Sequence, residues 1–267
     1  MPLYSADALI LRTYKLGEAD RIVVFLTRDR GKKRGVAKGA RRPRSKFVGG
    51  LEPLTQVRVA YFEKERRELV SVNYSEPSRS PLSAANPEAL GYTQYFAELL
   101  DEWAQDADPD ERLYRLGSSM VDAVVVGVPV EPLARYFEYW LLRLQGLYPA
   151  HLRCHQCGGA LGDADGQHLV ETRDPRNPRP VSAFLAPGER EFTCGGCSPR
   201  GRGLRLSADA LAFLSRARTI NPLDLDDRLA TVTGLRELES VHRALITAYL
   251  DKEPKSIQVL NSMRHRP

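Results

Sequence analysis

The four cysteines of this 267-residue chain stand in two Cys-x-x-Cys pairs, and this arrangement constrains the possible folds more than any other feature of the sequence. The pairs are Cys154 with Cys157 and Cys194 with Cys197. A gap of two residues lets both thiolates of a pair point at one ion, and four thiolates fill the tetrahedral shell of a structural zinc site. The sequence therefore predicts one structural Zn2+ bound by these four cysteines, with no open position for catalysis.

The segment between the two pairs is long. It contains the 36 residues 158 to 193, where roughly 15 to 20 are usual, so we expect an insertion whose stretch 172–180 is a solvated loop. His151, His155 and His168 lie close by, but four cysteines leave no ligand position for them, and we expect solvated side chains. Two alternatives stay open: a redox Cys-x-x-Cys pair, although no thioredoxin-like βαβ pattern surrounds either pair, and unbound thiols.

The positive charge of the chain is concentrated in one segment, residues 28–46. This segment holds ten basic residues against one acid, a net charge of +9, so the rest of the chain carries −4 of the total of +5. Clustered positive charge can line up with successive phosphates, which favours an anionic polymer as the partner. The alternative is a solvated loop with no partner, but ten like charges repel one another unless something anionic binds there.

The hydrophobic pattern of residues 6–75 has the period of two that is typical of β-strands. Glycines and prolines interrupt this pattern and predict the turns. Five short strands predict a small barrel, and the OB-fold is the natural candidate because it has five strands and presents one face to oligonucleotides. A barrel of the SH3 type fits the same pattern. The predicted strands cover residues 7–14, 20–27, 32–38, 55–63 and 68–74.

From residue 81 the hydrophobic period becomes that of an α-helix. Asn86 and Asp108 each precede a proline, which predicts two helix starts with these residues as N-caps. A third helix is expected to start at residue 131 or 132 and to end at Gly146. Ser207 is expected to cap a fourth helix, and a long final helix follows. Residues that recur on one face are predicted to be core, and in the first helix they are Tyr92, Tyr95, Phe96, Leu99, Leu100 and Trp103.

These patterns predict an α+β multidomain chain. A five-stranded OB-fold β-barrel over residues 1–80 is followed by an α-helical bundle domain, which occupies residues 81–150 and 204–253. The four-cysteine zinc module over residues 151–203 is inserted into that bundle. Residues 254–267 are expected to form a basic tail.

The sequence disfavours several functional classes. Its most apolar run, residues 123–130, is broken by Gly127 and Pro129 and is far shorter than the roughly 18 to 20 residues that span a bilayer. The N-terminus lacks the layout of a secretory signal, which favours the reducing cytoplasm, where disulfides are rare. The sequence contains no Gly-rich phosphate loop, carboxylate cluster for Mg2+ or plausible Ser/His/Asp set, so we expect no enzymatic activity.

The basic segment also carries a family resemblance. A strand, a glycine turn and a basic strand lead into Val36-Ala37-Lys38-Gly39-Ala40-Arg41 and then Leu51-Glu52-Pro53-Leu54. These parts resemble the N-terminal OB domain of RecO, the bacterial recombination mediator and DNA repair family. A helical bundle with an inserted zinc module follows in that family, so the resemblance covers nearly the whole chain, including Lys255-Ser256 near its end. The long segment between the cysteine pairs and the extra charge of residues 42–46 depart from the family pattern.

The resemblance implies a protein that binds single- and double-stranded DNA independently of sequence and anneals complementary strands. It also implies that the protein acts with RecR to load the RecA recombinase onto strands coated by single-strand-binding protein, in the cytoplasm at the nucleoid. Tyr14 and Tyr61 are candidates for stacking on bases, although burial in the core is the expected role of each. The predicted DNA-binding residues are Lys32, Arg34, Lys38, Arg41, Arg42 and Arg44, with Arg34 and Lys38 first because they lie in the matched motif.

Their positions predict a DNA-binding surface with two parts. Lys32, Arg34 and Lys38 are evenly spaced and are expected on one face of a strand, whereas residues 39–46 are expected to form a mobile arm whose arginines make bidentate contacts. Two other functions stay open. One is a ribosome- or RNA-associated protein with a small barrel and a zinc ribbon. The other is an interaction scaffold whose helical domain binds peptides.

Overall fold

The computed structural model describes residues 2–64, 68–84, 87–162, 170–171, 179–180, 182–185, 189–198 and 203–264. Two compact units make up the chain, and each is described by itself. The first unit is Met1–Gly127 together with Pro254–Pro267, and the second is Val128–Glu253. Within the described ranges, no helix is both long enough and apolar enough to cross a bilayer. The division of the sequence into five parts stays a prediction.

The chain begins with strands and continues mainly with helices. The first five strands are β1 (Leu3–Leu16), β2 (Asp20–Thr27), β3 (Gly31–Ala37), β4 (Gln56–Phe62) and β5 (Val70–Arg79). The helices are α1 (Pro87–Trp103), α2 (Glu111–Val126), α3 (Val130–Leu144), α4 (Ala208–Ala217), α5 (Val232–Leu250) and α6 (Lys255–Arg264). Short strands in the second unit are β6 (Val170–Glu171), β7 (Arg179–Pro180), β8 (Ala183–Leu185), β9 (Thr193–Cys194) and β10 (Leu204–Leu206).

The first five strands close into a barrel in the order β1-β2-β3-β5-β4, and β4 pairs back onto β1. Only the pairing of β3 with β5 is parallel, and it joins residues 35–37 to residues 70–72. Gly35 permits this close approach, because a Cβ atom there would lie 2.7 Å from the side chain of Val72. A five-stranded barrel of this kind is an OB-fold, and the predicted fold class is confirmed.

Alternation along β4 explains how the barrel acquires its core. Val57, Val59 and Tyr61 are buried inside the barrel with at most 2% of their surface exposed. Arg58 points outward between them, and its guanidinium lies 2.8 Å from the carboxylate of Asp7 on β1. Successive side chains of a strand point to opposite faces, so the period of two places apolar residues inside and charged residues outside.

The helices of the first unit bury the faces that the sequence predicts. The predicted start of α2 is wrong, however, because its N-cap is Asp110 rather than Asp108. The carboxylate of Asp110 accepts the amide of Leu113 at 2.9 Å, while the backbone of Asp108 packs against Gly31. The predicted cap Asn86 lies outside the described residues. All six predicted core residues of α1 are buried: Tyr92, Tyr95, Phe96, Leu99, Leu100 and Trp103.

The predicted C-terminal tail is a helix, α6, up to Arg264, and the last three residues lie outside the described ranges. Glu98 on α1 caps this helix, since its carboxylate accepts the amides of Lys255 at 3.0 Å and Ser256 at 2.7 Å. Partial burial opposes its ionisation, but the hydrogen bonds from Ser256 and Lys255 lower the pKa of Glu98. Ile257 is buried, as expected of a helix that packs on its neighbour.

The second unit is built around α3, α4 and α5. Ser207 caps α4 as predicted, because its hydroxyl accepts the amide of Ala210. The predicted third helix agrees with α3, which starts at Val130 and ends at Leu144, just before Gly146. Trp140 of α3 donates its indole hydrogen to the carbonyl of Ala217 at 2.9 Å, which fixes the contact between α3 and α4.

A buried charged network joins α3 to α5. Glu138 accepts a hydrogen bond from Arg135 at 2.6 Å and lies 3.0 Å from Nδ1 of His242. Arg135 also lies 3.3 Å from Glu239, and the side chains of Arg135, Glu138 and His242 are at most 3% exposed. Burial lowers the pKa of His242, against the opposing effect of Glu138. We therefore assign a neutral imidazole whose Nδ1 hydrogen is donated to Glu138.

Candidate metal centre and basic surface

The four cysteines predicted to bind metal come together at one point of the second unit. Their sulfur atoms all lie within 4.8 Å of one another, and those of Cys157 and Cys194 are 3.8 Å apart. Four sulfurs at about 2.3 Å from a tetrahedral Zn2+ lie about 3.8 Å from each other. The donor set therefore fits a single metal ion of this kind.

Local backbone bonds shape the two halves of this centre. In the first half, the amide of Gly158 donates to the carbonyl of Cys154 at 2.8 Å, and Gly158 adopts a left-handed conformation with φ of 70°. In the second half, the amide of Cys197 donates to the carbonyl of Cys194 at 3.0 Å. The amide of Cys194 also donates to the Cys154 sulfur at 3.3 Å, so the halves contact each other directly.

The thiols of Cys154 and Cys197 have pKa values that shift in opposite directions. Burial opposes ionisation of Cys154, but the amides of Cys194, Cys157 and Gln156 lower its pKa to about 6. The contact with the Cys194 sulfur, followed by burial, raises the pKa of Cys197 to about 12. The surroundings thus favour ionisation of Cys154 and oppose ionisation of Cys194 and Cys197. A bound dication changes this balance because it stabilises every thiolate.

That the nearby histidines are not ligands stays a prediction. Among the described residues, the four cysteines are the one group of three or more His, Cys, Asp or Glu side chains whose ligand atoms lie close together. Nδ1 of His155 lies 3.5 Å from Glu191, and His151 is exposed. His168 and most of the predicted loop 172–180 lie outside the described residues.

The basic segment divides into two halves, and the first half, residues 28–34, is matched by acids. Arg28 lies 2.7 Å from Glu111, and Lys33 lies 2.8 Å from Glu63. The remaining three also have a carboxylate within 4 Å: Arg30 faces Asp29, Lys32 faces Asp101 and Asp106, and Arg34 faces Asp106. These contacts neutralise much of the positive charge that the sequence places here.

Lys32 differs from the other predicted DNA-binding residues because it is 92% buried. Its ammonium donates to the carbonyl of Asp101 at 2.7 Å and lies 3.5 Å from that residue's carboxylate. Lys32 and Arg34 alternate with Lys33 along β3, so they share a face as predicted, but of the two only Arg34 is exposed. Lys38 follows the end of β3 and is exposed too.

The second half of the segment, residues 38–46, is called the basic loop from here on. Its five cations are exposed, and no carboxylate of the described residues lies within 4 Å of any of them: Lys38, Arg41, Arg42, Arg44 and Lys46. Arg41 and Lys46 instead donate to a backbone carbonyl and to an amide oxygen, those of Gly17 and Asn73. The loop therefore presents its positive charge to solvent.

The prediction that residues 39–46 form a mobile arm is wrong, because the basic loop is folded. The amide of Gly39 donates to the carboxylate of Asp20 at 2.7 Å, and the amide of Arg41 donates to the carbonyl of Ala19 at 2.9 Å. A further turn joins the amide of Ser45 to a carbonyl within the loop. The turn between β1 and β2 thus fixes the basic loop, a contact that spacing along the sequence does not reveal.

The two tyrosines considered for base stacking have different environments. Tyr61 is fully buried in the barrel, and burial raises its pKa to about 12, so its ring cannot contact a base. Tyr14 is 46% exposed and accepts a hydrogen bond from Arg12. Lys64, which the sequence analysis does not single out, is exposed just after β4. No pattern in the nearby sequence indicates that Lys64 lies close to the basic segment. The two come near each other because β3 and β4 both pair with β5 in the barrel.

Comparisons with known proteins agree with this architecture. The family described as "Recombination protein O N terminal" matches residues 1–81, and "Recombination protein O C terminal" matches residues 84–258. A DNA repair protein RecO from Koribacter versatilis is 33% identical over 252 residues, which cover 89% of this chain and all of that protein. Proteins of the same name from Symbiobacterium thermophilum and Desulforudis audaxviator are each 30% identical, over 99% and 98% of both chains respectively.

Proposed function

Because this chain belongs to the RecO family of DNA repair proteins, we propose that it is a non-catalytic mediator of recombination that binds single- and double-stranded DNA and anneals complementary strands. One observation carries the proposal. The basic loop presents five exposed cations, and no described carboxylate lies within 4 Å of them. Unmatched positive charge at the rim of an OB-fold suits a phosphate backbone.

The basic loop and its neighbour Arg34 form the proposed DNA-binding surface. Of the predicted residues, Arg34, Lys38, Arg41, Arg42 and Arg44 are exposed, whereas Lys32 is already bonded to Asp101. We therefore assign direct phosphate contacts to the exposed five and a supporting role to Lys32, which holds β3 on α1. Arginine forks bind phosphate oxygens in pairs, so this arginine-rich loop favours bidentate contacts.

Phosphate contacts explain why such a surface can anneal strands without choosing a sequence. They position a nucleic acid but carry no information about its bases, and they reduce the repulsion between two strands. If about five phosphates of a single strand are neutralised, a plot of log Kd against log salt concentration has a slope of about 3.5. Kd then rises roughly a hundredfold between about 50 and 200 mM salt. Base edges stay free to pair with the complementary strand.

The proposed partners are RecR, single-strand-binding protein and, through them, RecA, and the proposed place of action is the nucleoid. In this scheme the protein delivers a strand coated by single-strand-binding protein to recombination. The four cysteines would hold one structural Zn2+, which fills its shell with thiolates and leaves no coordination position for a substrate. The metal then organises the second unit and takes no part in a chemical step.

Strand annealing tests the proposal most directly. Two complementary oligonucleotides, one with a donor dye and one with an acceptor dye, would be mixed with and without single-strand-binding protein and this chain. We expect faster annealing of bare strands and restored annealing of coated strands. A clear preference for structured RNA with no annealing of DNA would overturn the proposal and favour an RNA-associated function.

A further inference from the structure

A groove on the outside of the barrel lies beside the basic loop. Its volume is about 630 Å³, within the range of roughly 300 to 1,000 Å³ that suits a small organic group. Apolar side chains of Val36, Phe62 and Leu69 line it together with Lys38 and Lys64. The groove thus combines an apolar floor with two cations.

The register of three strands explains why a groove forms here. Val36 on β3 pairs with Ser71 on β5, and Ser71 pairs with Phe62 on β4. A small side chain therefore stands between two larger apolar ones in a row across the sheet. Phe62 is partly exposed, and 38% of the surface of Leu69 is exposed, although both are apolar. The barrel therefore leaves apolar surface open to solvent at this row and at the adjacent Leu69.

The chemistry of the groove does not suit a bare phosphate. A phosphate gains nothing from Phe62 or Leu69, and the carboxylate of Glu68, which also lines the groove, would repel it. An unpaired nucleobase fits better, because its face stacks on an aromatic ring and its exocyclic amino group can donate to a carboxylate. A duplex offers no such base, since its bases are stacked and paired.

We propose that this groove binds an unpaired base of single-stranded DNA, with the ring of Phe62 as the stacking partner. Lys38 belongs to the basic loop and also lines the groove, so a strand that follows the loop's cations reaches the groove directly. Lys38 and Lys64 then neutralise the phosphates next to the bound base. The inference rests on the proposed function, to which it adds a preference for single-stranded over duplex DNA.

An abasic strand distinguishes the contribution of the bases to binding from that of the phosphate backbone. Fluorescence anisotropy would give Kd for a labelled oligonucleotide and for an abasic strand of the same length. In the abasic strand, tetrahydrofuran residues replace the nucleosides, so every phosphate is kept and every base is absent. For the wild-type chain, we expect Kd for the abasic strand to be at least about fivefold higher, the lower end of the effect of one stacked base. In Phe62→Leu, which keeps apolar bulk but removes the aromatic face, this ratio should fall to near one.

One control variant and one control measurement sharpen the test. Tyr74 is an exposed aromatic residue of β5 that does not line the groove, so Tyr74→Leu should keep the wild-type ratio. Phe62→Leu should keep the wild-type affinity for the abasic strand, which also reports that the variant is folded. A wild-type ratio in Phe62→Leu, or loss of the ratio in Tyr14→Leu alone, would overturn the assignment. Failure of the wild-type chain to bind either strand would instead overturn the proposed function itself.

Discussion

The basic loop of the first unit and the buried network of the second unit differ in whether acids within the chain balance their positive charge. The loop holds five exposed cations with no described carboxylate within 4 Å. In the network, Arg135 is matched by Glu138 and Glu239, and His242 completes it within the core. Charge that is matched inside the chain serves the fold, whereas charge that repels itself on the surface is balanced only by an external anion.

The largest effect should follow removal of metal from the cysteine centre. If this centre serves only the fold, a strong chelator should unfold the second unit, because structural zinc contributes on the order of 10 to 16 kcal/mol of apparent binding energy in small zinc modules. Limited proteolysis and near-ultraviolet circular dichroism would follow the loss. DNA affinity of the basic loop should change much less, which is the outcome that sharpens the comparison.

Metal analysis of the purified protein provides the control. We expect about one equivalent of zinc, and less than about half an equivalent would contradict the assignment of the four cysteines. Cys157→Ser removes one ligand from the exposed side of the centre and should lower the zinc content without chelator.

The next largest effect should come from the network. Glu138→Leu removes one acid that faces Arg135 and removes the acceptor of His242, so we expect a loss of about 3 to 5 kcal/mol in the free energy of unfolding. Urea denaturation would measure it. Arg236 is exposed on the same helix as His242, and Arg236→Ala should change stability by less than about 0.5 kcal/mol. Equal losses of stability in Glu138→Leu and Arg236→Ala would show that the buried network contributes no more to the fold than an exposed charge does.

A smaller effect is expected from the basic loop, and it should appear in DNA binding rather than in stability. The double variant Lys38→Gln with Arg42→Gln removes two unmatched cations. For single-stranded DNA, the slope of log Kd against log salt concentration should fall by about 1.4. The affinity should fall on the order of tenfold near 0.15 M salt. The matched control is Arg28→Gln with Arg30→Gln, since both of these arginines face acids. A larger loss of affinity in the control would show that matched charge binds DNA as well.

The smallest expected effect is a pH dependence of stability from His242. Burial lowers its pKa in the folded chain below the ordinary value of 6.5. As the pH falls through 6.5, the unfolded chain takes up a proton that the folded chain does not, so stability is complete above this pH and declines below it. Urea denaturation at pH 7.5 and pH 5.5 would measure the decline. His242→Gln keeps a donor for Glu138 and should show a smaller decline than the wild-type chain; an unchanged decline would contradict this role.

Sequence patterns over short stretches correctly predicted the features that depend on nearby residues. The period of two located all five strands of the barrel, the helical period identified the buried face of α1, and the spacing of the cysteines named a set of sulfurs that lie within 4.8 Å. Ser207 was predicted as a cap because its partner, the amide of Ala210, is three residues away. The strand pattern, the helix face and the cap each depend on neighbours within a few residues along the chain, and the cysteines are recognised by the two-residue gap within each pair.

Features that depend on distant residues were missed. Lys32 is bonded to Asp101, 69 residues later, so its burial is invisible in the spacing of β3. The cap of α6 is Glu98, 157 residues before Lys255, and without that contact residues 254–267 read as a tail. Only the fold brings such partners together, which is why the sequence overestimated the number of cations available to DNA.

The place of α6 in the first unit has a consequence for how the chain is made. Its residues 255–264 pack on α1 only after the whole second unit has been synthesised, because that unit lies between α2 and α6 along the chain. On the ribosome, the barrel can assemble early, but the apolar face of α1 that meets Leu260 and Met263 stays uncovered until the second unit has been made. A nascent chain that stalls before residue 255 therefore exposes this face to chaperones and proteases, so the first unit is completed only after the second unit has been made.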